Sequence, residues 1–185
     1  MIEDVLKETE SKMKKAVAAL ERDLGGVRTG RASARLVDNV KVDYYGTPTP
    51  LNQVASITVP EARMILIQPW EKSLTPTIEK AILKSDLGLN PSTQGNVIRL
   101  QIPELTEERR KDLVKVVRKK VEDGRIAVRN VRRQALETFR EMQKEKEISE
   151  DEEKRAEKQL QEITDKYIAN VDETGKLKEE EVMEE

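Results

Sequence analysis

From about Thr106 to about Lys146 the chain repeats its apolar residues at helical spacing, and a run of that length dictates a rod. Val114, Val117, Val121, Gly124, Val128, Val131, Ala135, Thr138 and Met142 follow one another in alternating steps of 3 and 4. That is the two-per-heptad seam of a helix packed in a bundle or coiled coil. At 1.5 Å per residue the rod is about 60 Å long. A single apolar stripe cannot be buried alone, so other helices must cover it.

A second stripe runs beside the seam. With Gly124 at 0° and 100° per residue, the seam falls between about −40° and 80°. Arg132, Arg125, Arg118, Arg129, Lys111, Arg140, Arg133 and Lys115 occupy about 80° to 180°. Glu108, Asp112, Glu137 and Asp123 lie further round, and Glu107 and Glu122 interrupt the basic sector. Two readings follow. A cationic ridge on a rigid rod suits a phosphate backbone, and arginine's planar fork suits it better than lysine. The same ridge can instead be a solvated face whose cations pair with carboxylates one turn away. Segregation of charge along the chain favours the first. Residues 106–140 carry net +6 and residues 141–185 net −9, inside a total of −2.

Composition closes several routes. The chain has neither cysteine nor histidine, so thiolate metal sites, disulfides and the commonest general base are excluded. With 3% aromatic and 38% charged residues, a thin helical core plus a small compact unit fits 185 residues better than one bulky core. No apolar run approaches the ~18 residues of a membrane span, and no secretory leader pattern opens the chain, so a cytoplasmic protein is expected.

The order of elements reads helix, insert, helix, helix. Leu6, Met13, Val17, Leu20, Leu24 and Val27 share one stripe, weakened at Gly25 and Gly26 and ending at Gly30. Val40 and Val42 alternate before Tyr44-Tyr45-Gly46. Thr47-Pro48-Thr49-Pro50 should exclude regular structure, because proline lacks a donor. Residues 54–59 and 64–67 read as strands. Thr75 should cap a short helix with Pro76 at its first position and Gly88 at its stop. Asn90-Pro91 reads as a turn, and Val97, Ile98, Leu100 and Ile102 as a last strand before Pro103. Ser149 and Glu152 form a capping box. After it, Ala156, Leu160, Ile163, Tyr167, Thr174 and Leu177 continue a heptad-like seam, and Lys178–Glu185 is an acidic tail expected to fray. The expected fold class is α+β. An antiparallel three-helix bundle (residues 1–30 and 104–185) carries an inserted small α+β domain at 31–103. The chain leaves and re-enters the bundle at Gly30-Arg31 and Pro103-Glu104-Leu105, two adjacent crossings that make a hinge.

Little else carries chemistry. Arg28-Thr29-Gly30-Arg31 lacks the frame of a phosphate-cradling loop and reads as hinge plus cation pair. Glu150-Asp151-Glu152-Glu153 reads as acids complementing a helix N-terminus rather than a Mg²⁺ site. Tyr44 and Tyr45 offer rings for base stacking, although in an alternating strand one of them belongs to the core. Trp70 marks either an exposed partner patch or a core edge. No catalytic residue, metal ligand or cofactor is assigned. The residues alone lead to an RNA-contacting, hinged, non-catalytic protein.

Five stretches together resemble a known family. They are Arg28-Thr29-Gly30-Arg31-Ala32-Ser33, Tyr44-Tyr45-Gly46-Thr47-Pro48-Thr49-Pro50-Leu51, Ser85-Asp86-Leu87-Gly88-Leu89-Asn90-Pro91, Leu105-Thr106-Glu107-Glu108-Arg109-Arg110-Lys111-Asp112-Leu113 and Arg129-Asn130-Val131-Arg132-Arg133. In order and spacing the whole chain resembles the bacterial ribosome recycling factor family. The resemblance implies an L-shaped monomer of a three-helix bundle and a β/α/β domain on a flexible hinge. It implies action in the intersubunit space, where the family splits the post-termination ribosome with elongation factor G and GTP. The family's large-subunit rRNA contacts match Arg129, Arg132 and Arg133 here, and Arg110 is added as a fourth. Trp70 and Gly25-Gly26 depart from the family pattern. The competing expectation is a helical adaptor or holdase whose arginines only pair with acidic helix faces, without dependence on the ribosome.

Overall fold

The computed structural model describes residues 1–184. Among these, four helices and six strands occur: α1 (Ile2–Gly25), β1 (Lys41–Tyr44), β2 (Thr47–Pro50), β3 (Ala55–Glu61), β4 (Met64–Pro69), α2 (Thr75–Lys84), β5 (Pro91–Gln94), β6 (Val97–Gln101), α3 (Glu107–Lys144) and α4 (Glu150–Met183). The fold is α+β. By contacts the chain divides into two compact units. One comprises Met1–Leu24 and Lys115–Glu179; the other comprises Gly25–Val114 and the residues from Glu180 on. The division expected at 30/31 and 103/104 follows the connections between elements, whereas this one follows contacts. The first turns of α3 therefore group with the sheets.

The first unit is a three-helix bundle in which α3 runs antiparallel to both α1 and α4. Its direction is fixed by who meets whom. Gly124 faces Leu20 and Val171, and Gly175 faces Val121. Phe139 and Met142 pack with Ile148, Ala156 and Leu160, against Ile2, Val5 and Leu6. Ser149 and Glu152 start α4 as a reciprocal box: the Ser149 N–H donates to Glu152 Oε1 (3.0 Å) and the Glu152 N–H to Ser149 Oγ (3.1 Å). Hydrogen bonding from Ser149, its backbone N–H first, holds the Glu152 carboxyl below its usual range. The preceding turn closes α3 with a Schellman pair, Glu147 N–H to Met142 O (2.8 Å) and Lys146 N–H to Gln143 O (2.9 Å). It holds Lys146 at φ 61°.

The seam of α3 differs from the heptad expectation. Leu113, Val117, Val121, Gly124, Val128, Ala135, Phe139 and Met142 are buried, Val131 is half-buried and Thr138 is exposed. From Leu113 to Met142 the steps average about 3.6, the period of a straight helix. A strict heptad drifts ~20° per repeat against it. On the wheel the buried set spans about −20° to 60°, so Val114 and Thr138 fall just outside it. The same holds in α4. Ala156, Leu160, Thr164, Tyr167, Val171 and Gly175 are buried, Ile163 and Thr174 are half-buried, and Leu177 is 50% exposed. Thr164 enters the seam because its hydroxyl donates to Leu160 O at 2.8 Å, leaving no bare polar group. Through Glu184 the acidic tail does not fray, and Glu185 lies outside the described residues. Helix α4 continues to Met183, Val182 is fully buried, and Glu184 pairs with Arg31 at 3.2 Å.

Close helix approach depends on Gly175. A Cβ there would overlap a Val121 Cγ2 methyl, whose β-branched rotamer has little freedom to yield. Alanine gains ~1 kcal/mol of helix propensity but incurs ~1–3 kcal/mol of overpacking. Gly175→Ala is therefore expected to lower the melting temperature; a rise would show that the crossing is looser than described. A polar tie between α1 and α4 lies about two turns before Gly175: the buried Tyr167 hydroxyl donates to Glu10 Oε1 at 2.8 Å. Burial first, then this bond, pushes the phenol up to about 12, and the bond is the main reason Glu10 is held below its usual range.

In the second unit, strands β3-β4-β6-β5 form an antiparallel sheet and β1-β2 a separate hairpin. Alternate residues Ile65 and Ile67 on β4, and Ile98, Leu100 and Ile102 on and just past β6, enter one core with Ile78 and Ile82 of α2 and with Val42 and Leu51. Two segments expected to be irregular are strands. Thr47–Pro50 pairs with Lys41–Tyr44, joined by a turn with Tyr45 at φ 50° and Gly46 at φ 86°, the signs of a type I′ hairpin. The prolines are tolerated for a geometric reason. The Leu51 N–H donates to Val40 O (3.1 Å), so by the period of two Thr49 and Thr47 face the ladder while Pro48 and Pro50 turn their nitrogens to the open edge. Pro91–Gln94 pairs with β6 as an edge strand, where proline is tolerated as the first residue. Thr75 is not the cap of α2. It is the first helical residue after a 3₁₀ turn at Lys72–Leu74, and Ser85 closes the helix, its N–H and hydroxyl both donating to Ile82 O. Gly88 (φ 65°) shapes the following turn instead.

Candidate nucleic-acid interface

The middle of α3 carries the basic face, and its arginines divide into two groups. The first is committed to carboxylates. Arg118 Nε donates to Glu179 at 2.8 Å. Arg125 bridges Glu122 (3.0 Å) and Asp172 (2.7 Å), and these bonds, Glu122's first, hold its guanidinium charge more firmly than usual. Both therefore tie α3 to α4, each exposed pair contributing about 0.2–1 kcal/mol. Arg129 reaches Glu122 Oε1 at a looser 3.5 Å.

The second group is Arg132 and Arg133. Among the described residues neither makes an ion pair. Arg132 is half-buried at the edge of the seam, a position from which an arginine can pack its stem and still present its head to a ligand. Arg133 lies further round, on the exposed side. Arg129, Arg132 and Arg133 occupy one turn of a helix anchored by Val128 and Ala135, both buried. Three cations on one rigid turn can engage adjacent phosphates without ordering a loop first. The structure thus brings three of the four expected residues together. Arg110 stands apart from them in the first turn of α3, several helical turns before Arg129. That turn is capped by Thr106, whose Oγ1 accepts from Arg109 N at 3.0 Å.

The crossings expected to hinge are tied within the second unit. Arg28 donates to Pro103 O at 3.2 Å, and burial followed by the charge of Arg109 lowers its proton affinity. Arg31 N–H donates to Thr29 Oγ1 (3.2 Å), Arg63 pairs with Glu104 (3.0 Å), and Leu105 is buried. Space around Gly30 is open: a Cβ there meets nothing within 4 Å. The tie from Arg28 to Pro103 spans 75 residues, so no local pattern signals it. On the sheets, Tyr44 and Tyr45 both donate to the Glu71 carboxylate at 2.9 Å, with rings in a T arrangement. Tyr44 packs on the core; Tyr45 is 77% exposed. Trp70 is 66% exposed, which removes the core-edge reading. Among the described residues no helix is long and apolar enough to cross a membrane, and no group of three carboxylates is placed to hold a metal.

This fold, a three-helix bundle and an inserted antiparallel sheet unit, is shared with proteins of known kind. A profile of the ribosome recycling factor family matches residues 20–183. A ribosome-recycling factor of Nitratidesulfovibrio vulgaris is 55% identical over 183 residues, covering 99% of this chain and 98% of that one. One of Heliobacterium modesticaldum is 55% identical over 184 residues and the full length of both chains. A solution structure of the ribosome recycling factor aligns with a TM-score of 0.76 at 48% identity, over 98% of this chain and 97% of that one. A second structure, at TM-score 0.67 and 48% identity over 99% of both chains, shows the T. thermophilus ribosome recycling factor with E. coli elongation factor G bound to the E. coli post-termination complex. The chain belongs to the ribosome recycling factor family.

Proposed function

We propose that this protein splits the post-termination ribosome into subunits, acting in the cytoplasm as a monomer with elongation factor G and GTP, and that its bundle binds large-subunit rRNA through Arg129, Arg132 and Arg133. Arg110 is a separate, outlying contact in this reading. The observation that carries it is the division among the arginines. If the ridge were only a solvated face, as in a helical adaptor, its cations would be matched by carboxylates. Arg118 and Arg125 are matched; Arg132 and Arg133 are not. The relative seen on a post-termination complex with elongation factor G supplies the setting. The protein itself is not an enzyme in this account: it holds RNA, and the hydrolysed nucleotide belongs to its partner.

The hinge completes the proposal. Bending is assigned to Gly30-Arg31 and Pro103-Glu104-Leu105, with the Arg28–Pro103 bond and the Arg63–Glu104 pair, both at the surface, yielding as it occurs. Because a Cβ is accommodated at Gly30, Gly30→Ala should leave the melting temperature unchanged while slowing splitting through reduced backbone freedom. Splitting at the wild-type rate would remove Gly30 from the hinge. The test of the function is light-scattering of purified post-termination ribosomes with elongation factor G and GTP. Dissociation that requires this protein is expected. No dissociation with the folded wild-type protein and a cognate factor would reject the reading in favour of the adaptor.

A further inference from the structure

One acid stands inside the basic sector of α3. On the helical wheel Glu122 projects between Arg129 and Arg133. Its two oxygens are divided: Oε2 holds Arg125 at 3.0 Å and Oε1 reaches Arg129 at 3.5 Å. Arg125 has a second carboxylate, Asp172 at 2.7 Å, so its tie to α4 does not depend on Glu122. For Arg129, Glu122 is the only carboxylate partner among the described residues. The pair spans nearly two helical turns, and both side chains are about half exposed. An exposed pair of that length is weak enough to be exchanged.

We infer that Glu122 is a built-in competitor for phosphate: it occupies Arg129 in the free protein and is displaced when RNA phosphate takes that guanidinium. This rests on the rRNA-binding reading above and adds a positioning and affinity-setting residue to it. Glu122 draws the Arg129 side chain back along the helix face toward residue 122, so the guanidinium is held on the basic sector. It also subtracts from the attraction, because one favourable contact is traded for another and a carboxylate remains beside the phosphate. A factor used repeatedly has to leave its RNA as readily as it arrives. A weak internal counter-ion at one of three arginines limits affinity without removing a contact.

The test is equilibrium binding to purified large ribosomal subunits across a salt series from ~0.05 to ~0.2 M, the range over which phosphate contacts weaken most visibly. Wild type, Glu122→Gln, Arg129→Ala and the double variant are compared, with Glu141→Gln as an acid outside the basic sector and Arg132→Ala as the check on the parent reading. Glu122→Gln is expected to bind about two- to fivefold tighter at the middle of that series, the range set by an exposed pair. Its plot of log K against log salt should steepen by up to about 0.9, one more phosphate released from counter-ion. In the Arg129→Ala background most of the gain should be lost, leaving only the relief of carboxylate–phosphate repulsion, and Glu141→Gln should bind as wild type. The inference is overturned if Glu122→Gln binds no tighter, if it gains equally without Arg129, or if Glu141→Gln gains as much. It falls with the RNA reading itself if wild type fails to bind, or if Arg132→Ala binds as wild type. Those two results fail the parent reading whatever Glu122→Gln does.

Discussion

Replacing Phe139 by alanine is expected to destabilise the protein by about 3–5 kcal/mol, whereas Thr138→Ala, one residue earlier, changes it by less than ~0.5 kcal/mol. Phe139 is fully buried and is the only phenylalanine in the chain. It fills the end of the bundle where Met142, Ile148, Ala156 and Leu160 meet the start of α1. Truncation removes the largest buried side chain there and leaves a cavity that three helices cannot readily close. Thr138 is exposed, and its hydroxyl only donates to Gln134 O at 3.0 Å. For a protein of this size each kcal/mol moves the midpoint by ~2–4 °C, so a drop of roughly 10 °C separates the two variants in one thermal scan. Equal shifts would return the seam to a heptad.

The second large effect concerns binding. Arg132→Ala and Arg133→Ala are each expected to weaken binding to the large subunit by about 1–3 kcal/mol, or roughly 5- to 150-fold. Each should also flatten the salt dependence by about 0.7–0.9. Arg118→Ala provides the contrast. Its guanidinium is bonded to Glu179, so its loss should cost under ~1 kcal/mol of stability and leave affinity within about twofold. Binding titrations at several salt concentrations, paired with melting curves, separate the two roles. Unchanged affinity and slope in folded Arg132→Ala would remove that residue from the interface and with it the RNA reading of this face.

Much of this can be read along the chain, and the exceptions share a cause. The α1 stripe, the α3 and α4 rods and the Ser149/Glu152 box are encoded within a few residues, so local pattern reaches them. The prolines at 48 and 50 mislead because strand geometry depends on which edge a nitrogen faces, and only the partner strand decides that. Phe139 and Thr138 exchange places because a long seam accumulates the difference between 3.5 and 3.6. The tail reads as fraying because its acids outnumber its one buried valine, Val182. The basic face is legible as a stripe, and the resemblance supplies the residues within it. Their division is not legible, because Glu179 and Asp172 lie 61 and 47 residues from the arginines they hold.

Helix periodicity, caps, the arginine sector and the absence of cysteine and histidine chemistry have short-range causes and are written in the chain. Long-range packing set which of those arginines are engaged by α4, which edge the prolines face, and which of two adjacent residues is inside. The reason is range. A helix face is set by residues three or four apart, but an ion pair, a ladder or a buried ring is set by whichever distant segment packs against it.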